Sequence, residues 1–179
     1  LGQEVTAVPI APKPKPSHKT AAWLDDAPRL VTRYTAHPQR VAWWQAHKPV
    51  SEDVVLTRNL GVGVLPSSQC RHPRLILPVY DEAGRVVCLR GRRLDCDCPK
   101  WLAAGGWSLG SLPLYNLAAL PIGGVLWIVE NPVDALMIGQ FTPYAGAATL
   151  SVSYWRDEWG AAIAEKRPSL VVVAYDNDL

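Results

Sequence analysis

Val125-Leu126-Trp127-Ile128-Val129-Glu130-Asn131-Pro132-Val133-Asp134-Ala135-Leu136 decides how this chain of 179 residues folds. Five apolar residues in a row are the pattern of a strand buried on both faces, as parallel strands are. Asn131 offers a side-chain cap, and Pro132 stands where a helix tolerates a missing N–H, so a helix is expected over 133–140. Beyond it, residues 142–149 read as a short strand and turn of small side chains. Residues 153–166 read as an amphipathic helix that Pro168 stops. Leu170-Val171-Val172-Val173-Ala174-Tyr175 reads as a second buried strand. The order β-α-β-α-β over 124–179 implies an α/β layer built on a parallel sheet.

Both of those strands run into acids. Glu130 follows the first, and Asp134 lies one helical turn further on. Asp176 and Asp178 follow the second, and in an extended chain alternate residues project to one side. Open parallel sheets bind ligands beyond the carboxyl ends of their strands. If the two strands are neighbours, Glu130, Asp176 and Asp178 meet there. Carboxylates that close together repel unless something neutralises them. Mg²⁺, or Mn²⁺ in its place, suits an open site of oxygen ligands shared with phosphates. Taken singly, each acid is explained as well by helix capping or by a solvated tail.

Upstream the chain changes character. Residues 1–20 contain Ala11-Pro12-Lys13-Pro14-Lys15-Pro16, an extended linker or tail. Residues 21–60 are expected to be helical, with one helix running through Arg40-Val41-Ala42-Trp43-Trp44 and ending at Pro49. A short second helix is capped by Ser51. Trp43 and Trp44 are read as core. Gly61 to Pro66 is strand-like. Arg74-Leu75-Ile76-Leu77-Pro78-Val79-Tyr80 and Arg85-Val86-Val87-Cys88-Leu89-Arg90 flank Asp81-Glu82-Ala83-Gly84, the signature of a hairpin. Gly91-Arg92-Arg93 follows, and Pro99-Lys100-Trp101-Leu102 is expected to be loop.

Composition sets outer limits. With 49% apolar and 19% charged residues the chain should fold. No run of about 18 apolar residues is present, so no transmembrane helix is expected. Nor does the start resemble a signal peptide, and with Leu rather than Met at position 1 a processed or excised chain is expected. The net charge of +2 points to no polyanion by itself, but residues 1–123 hold 15 Lys+Arg against 9 Asp+Glu, while residues 124–179 hold 3 against 7. That asymmetry fits phosphate binding in front and cation binding behind. The four cysteines, Cys70, Cys88, Cys96 and Cys98, lack the paired knuckles of a zinc ribbon. A zinc site using all four is the alternative to buried or incidental reduced thiols. The thiol reading is preferred, so zinc is not expected.

Ile128-Val129-Glu130-Asn131-Pro132-Val133-Asp134-Ala135 resembles the first acidic motif of the TOPRIM fold, and Val173-Ala174-Tyr175-Asp176-Asn177-Asp178 its D-x-D motif. Leu77-Pro78-Val79-Tyr80-Asp81 through Gly91-Arg92 is similar to a hairpin pattern of bacterial-type DNA primases. Pro99-Lys100-Trp101-Leu102 is similar to their P-K-Y-L, and Leu114-Tyr115-Asn116-Leu117 to their L-Y-G/N-L. These pieces occur in the primase order over residues 36–179. Asn131 stands where that pattern has Gly, and Leu112-Pro113 near where it has a second Lys.

The resemblance implies an α+β N-terminal subdomain with a basic face over 21–123, followed by an incomplete α/β TOPRIM domain, Rossmann-like with a parallel sheet, over 124–179. TOPRIM folds ordinarily continue with a further helix and strand, so a C-terminally truncated core with an exposed sheet edge is expected. The implied activity is synthesis of RNA primers from NTPs on a single-stranded DNA template. Glu130, Asp176 and Asp178 would be catalytic, and the same three with Asp134 would hold metal. Arg90, Arg92, Arg93 and Lys100 would contact nucleic acid or nucleotide, the salt-sensitive grip that a template path needs. A replicative helicase in a primosome, a bacterial cytoplasmic, nucleoid-associated setting and phage or plasmid origin are further expectations. A TOPRIM nuclease and a non-catalytic nucleic-acid-binding remnant are the alternatives.

Overall fold

The computed structural model describes residues 22–66, 68, 70–104, 112–150 and 155–175. The Pro/Lys segment at 1–20 lies outside them. In chain order the elements are α1 (Ala27–Thr35), α2 (Arg40–His47), α3 (Glu52–Thr57), β1 (Gly61–Gly63), β2 (Arg74–Tyr80), β3 (Val86–Arg93), β4 (Trp101–Ala103), β5 (Val125–Val129), α4 (Pro132–Phe141), β6 (Ala145–Ala148), α5 (Asp157–Glu165) and β7 (Leu170–Ala174). Two short 3-10 turns, Leu24–Asp26 and Leu117–Ala119, join them among the described residues.

The first sheet is antiparallel with order β1-β2-β3-β4. Its centre is the expected hairpin. Asp81 organises the turn: its Oδ1 accepts from the backbone N–H of Ala83 and Arg85, at 3.0 and 2.9 Å, and Arg85 Nη2 lies 2.7 Å from Oδ2. Gly84 has φ 73°, a left-handed geometry that glycine adopts without steric cost. Residues 101–103, expected as loop, instead form the edge strand β4, with Arg92 opposite Trp101 and Arg90 opposite Ala103. Three residues are too few for alternation to be legible, and the neighbouring Pro and Lys are depleted from strands.

One face of this sheet packs Ile76 and Leu89 against Trp23, Ala27, Leu30 and Tyr34. The opposite face sends Leu75, Leu77, Val79 and Cys88 into the main core. Trp44 is fully buried there, and its indole N–H donates to Gly61 O at 3.0 Å. Helix α2 runs from Arg40 to His47, and α3 carries the expected Ser51 cap, whose Oγ accepts from Val54 N at 3.2 Å.

The main core does not stop at residue 123. Val129, Val133, Ala135, Leu136 and Ala148 belong to it as well. Gln140 ties the two regions polarly: its Oε1 accepts from Ser51 N at 2.7 Å, and its Nε2 donates to Pro49 O at 3.0 Å.

The second sheet is parallel, with order β6-β5-β7. Helix α4 covers one face. On the other, Trp159 and Ile163 of α5 pack on Leu126 and Ile128. Asn131 caps α4, accepting from Val133 N at 3.0 Å, and Pro132 opens it. Gly146 lets α4 approach β6 closely: a Cβ there would lie 2.9 Å from Ala135 Cα. Outside β6, Tyr115 exchanges backbone hydrogen bonds with Ala148 at 2.8 and 3.1 Å.

Two expectations need correction here. Helix α5 begins at Asp157, and residues 151–154 lie outside the described part. Strand β7 is not buried. Leu170 is 54% and Val173 56% exposed, because β7 is a sheet edge with a neighbour on one side among the described residues. A continuous apolar run marks a strand that can be covered on both faces, without saying whether the covering layers are present.

Candidate active site and basic face

Strand β5 lies at the centre of the parallel sheet, and β7 is its hydrogen-bonded neighbour, with Val129 opposite Ala174. Glu130 and Tyr175 therefore leave the sheet side by side at its carboxyl end. Asp176 and Asp178 lie outside the described residues. Glu130 is half-buried, and its carbonyl accepts from Leu150 N at 3.0 Å, which fixes the backbone at the strand end. Asp134 is the third residue of α4, in the turn where the helix dipole favours negative charge.

Asp134 also faces the other sheet. Its charge acts on Arg92 and on Lys48, and the charge of Lys100 reaches Lys48 too. Asp134, on α4, thus stands within electrostatic range of two cations, Arg92 of β3 and Lys48 at the end of α2. Lys48 is pushed below its ordinary value, chiefly by burial and then by Arg92, with Asp134 opposing. Nothing in the sequence singles out Lys48. It stands before a helix-ending proline, and only packing of α2 against the hairpin brings it here.

The four basic residues expected to grip phosphates separate. Arg90 and Arg92 share one face of β3, and both guanidinium groups lie over the Trp101 ring, at 5.7 and 5.8 Å from its centroid. Such stacking holds the cations in place and keeps their charge. Arg90 is only 6% exposed, so it reaches solvent little. Arg92 is half-buried, and its Nη1 meets no hydrogen-bond acceptor among the described residues. Lys100 is exposed beside them. Arg93 points to the opposite face, where its Nη1 donates to Cys98 O at 3.0 Å. Strand alternation already separates Arg93 from Arg92, but Trp101 as their platform appears only once β4 is paired.

The cysteines separate as well. Cys88 is buried in the main core, and burial pushes its thiol up to about 12. It takes no part in a shared site, which corrects the four-cysteine alternative. Cys70, Cys96 and Cys98 come together, with Sγ atoms all within 4.8 Å of one another and Cys70 paired to Cys98 as a disulfide.

No family model matches the chain. Among curated proteins it is 31% identical over 110 residues to a DNA primase of Clostridium acetobutylicum, a match covering 59% of this chain and 18% of that protein. Among solved structures it superposes on a DnaG catalytic core with a TM-score of 0.70 and 19% identity, over 87% of this chain and 62% of the other. The fold is that of a primase catalytic core. A DnaG primase catalytic domain bound to single-stranded DNA matches with a TM-score of 0.66 and 20% identity, over 87% and 61%. The Escherichia coli primase catalytic core matches at 0.62 and 19%, over 84% and 61%. The chain thus spans about a fifth of the curated relative and about three fifths of the solved primase cores. In this chain the antiparallel sheet that carries Arg90 and Arg92 and the parallel sheet that ends at Glu130 share one hydrophobic core.

Proposed function

We propose that this chain carries the catalytic core of a DNA primase, joining ribonucleotides on a single-stranded DNA template. The observation that carries the reading is the parallel pairing of β5 with β7 at Val129 and Ala174, which supports a shared role for Glu130 and the aspartates that follow Tyr175. The likeness to the Clostridium acetobutylicum primase and to the DNA-bound catalytic domain supports the substrate class.

A donor set of carboxylates at a strand end fits a hard divalent cation such as Mg²⁺ or Mn²⁺. Glu130, Asp134, Asp176 and Asp178 would hold it. Held there, it would supply Lewis-acid polarisation of a phosphoryl oxygen and screening of a leaving pyrophosphate. Glu130 is the group suited to hold the proton of an attacking 3′-hydroxyl. Arg92 and Lys100 neutralise template or triphosphate charge opposite the acids, with Arg90 and Trp101 keeping Arg92 in position. Arg93, on the other face, contributes through the loop it fastens. A helicase partner and a cytoplasmic, nucleoid-associated setting in a bacterial, phage or plasmid system belong to the same reading. No helix of the described residues is long and apolar enough to cross a membrane.

The test is primer synthesis by the native full chain on single-stranded DNA with labelled NTPs and Mg²⁺. Template-dependent oligoribonucleotides are expected, lost in Glu130→Gln while DNA binding persists. Nicking of DNA without NTP-dependent product would instead indicate the nuclease. Binding without either activity, indifferent to Glu130→Gln, would indicate the remnant.

A further inference from the structure

Two connections meet at one end of the antiparallel sheet, the one joining β1 to β2 and the one joining β3 to β4. Cys70 comes from the first, Cys96 and Cys98 from the second. Their three sulfurs lie within 4.8 Å of one another. Thiolates bound to one tetrahedral zinc ion, with Zn–S near 2.3 Å, have sulfurs about 3.8 Å apart. Reaching that geometry requires reduction of the Cys70–Cys98 disulfide and separation of its two sulfurs, with the other pairs already within 4.8 Å.

A second observation concerns what lies beneath the cluster. Arg74, the first residue of β2, is 0% exposed. Its Nη1 donates to Gly91 O and Pro99 O, each at 3.1 Å, and so touches the backbone of both β3 and the cysteine-bearing connection. Its Nε and Nη2 are buried without an acceptor, and among the described residues no carboxylate forms an ion pair with it. A buried guanidinium without an anion is strongly unfavourable. A disulfide between Cys70 and Cys98 is neutral and leaves it in that state. Three thiolates around Zn²⁺ carry a net charge of −1, which Arg74 balances.

We propose that, in the reduced protein, Cys70, Cys96 and Cys98 bind a structural zinc ion, with solvent in the fourth position and Arg74 as the buried counter-cation. On binding, each thiol that is still protonated releases its proton to solvent, and no electron is transferred. The ion fastens the β1–β2 connection to the segment that leads into Lys100 and Trp101. That segment is already held by hydrogen bonds from Arg93 N to Lys100 O, at 3.0 Å, and from Arg93 Nη1 to Cys98 O. The site stands apart from the acids of the parallel sheet, and the inference does not rest on the primase reading.

The test uses the native full chain purified under reducing conditions and passed over a weak chelator. One zinc per chain is expected by elemental analysis. Replacement by Co²⁺ should give the near-ultraviolet charge-transfer bands of thiolate ligation and the intense visible bands of tetrahedral cobalt. Cys96→Ser should weaken zinc binding at least tenfold, whereas Cys88→Ala should leave zinc content unchanged. The idea is overturned if the chain holds no zinc, whether its intact mass shows Cys70, Cys96 and Cys98 as free thiols or lower by two hydrogens with Cys70 joined to Cys98. It also fails if cobalt binds without thiolate charge transfer. The cobalt spectrum of the unsubstituted chain decides the matter even if Cys96→Ser does not fold.

Discussion

The two sheets of this protein solve opposite problems. The antiparallel sheet is covered on both faces. Leu75, Ile76, Leu77 and Val79 of β2 are all buried, and even its arginines are drawn inward, Arg74 fully and Arg90 nearly so. The parallel sheet is sealed around β5 but leaves β7 at an open edge with Leu170, Val171 and Val173 exposed. The covered sheet is a rigid frame that presents cations at fixed positions. The open one ends at Glu130, whose backbone is held by its carbonyl's hydrogen bond from Leu150 N, and in the proposed reading this end meets the ligand. Substitutions should therefore separate stability from chemistry according to the sheet they touch.

The largest effect should come from the acid end. Glu130→Gln is expected to lower primer synthesis by roughly a hundred- to a thousandfold, the range seen on removing one electrostatic stabiliser from a catalytic site, with melting temperature nearly unchanged. Synthesis that survives it would break the division of labour. Trp44→Ala should do the reverse. It empties a fully buried site and frees a Gly61 carbonyl, at a cost of about 3–5 kcal/mol in chemical denaturation. Because Val129, Val133 and Leu136 share that core, both sheets should unfold in one transition. Two separate transitions would show that the shared core is not what couples them.

A smaller effect is expected on the basic face. Lys100→Ala should weaken single-stranded DNA binding across sequences and reduce the slope of log affinity against log salt by about 1, in a salt titration followed by fluorescence anisotropy. Asp81 sharpens the comparison through pH. Burial pushes its carboxyl up, but the hydrogen bonds from Arg85 and Ala83 together with the Arg85 charge outweigh burial, so its folded value lies below the usual carboxylate range. A depressed folded value contributes stability above the unfolded value and loses it as pH falls through the folded one. Asp81→Asn should thus lower stability near neutrality by about 1 kcal/mol or less, with the difference vanishing in acid. The smallest change belongs to the open edge. Val173→Thr should alter stability by no more than about 0.5 kcal/mol in the same denaturation assay, since its side chain is already in water.

Much of this was legible in the chain itself. Turn chemistry at Asp81 and Gly84 set the hairpin, the Asn131-Pro132 pair set the start of α4, and the apolar run at 125–129 set the central strand. These signals are local: they depend on which backbone conformations a few adjacent residues favour. β4 was missed because three residues carry no measurable period. The bases were visible as a cluster and alternation separates Arg93 from Arg90 and Arg92, yet the Trp101 platform beneath the latter two needed the pairing of β4 with β3.

Most helices and strands, Glu130 at the end of β5 and the excess of cations upstream were readable locally, because propensity, capping and alternation act within one stretch of chain. Tertiary structure alone decided that β5 and β7 are neighbours, that Lys48 joins Arg92 and Asp134, that Trp101 lies under two arginines, and that three cysteines meet above a buried Arg74. Each of these depends on contacts between residues far apart in the chain, whose closeness is set by how the layers pack. Burial of β7 belongs to the same class: its apolar run states what the strand can tolerate, and only the arrangement of neighbouring layers states what it receives.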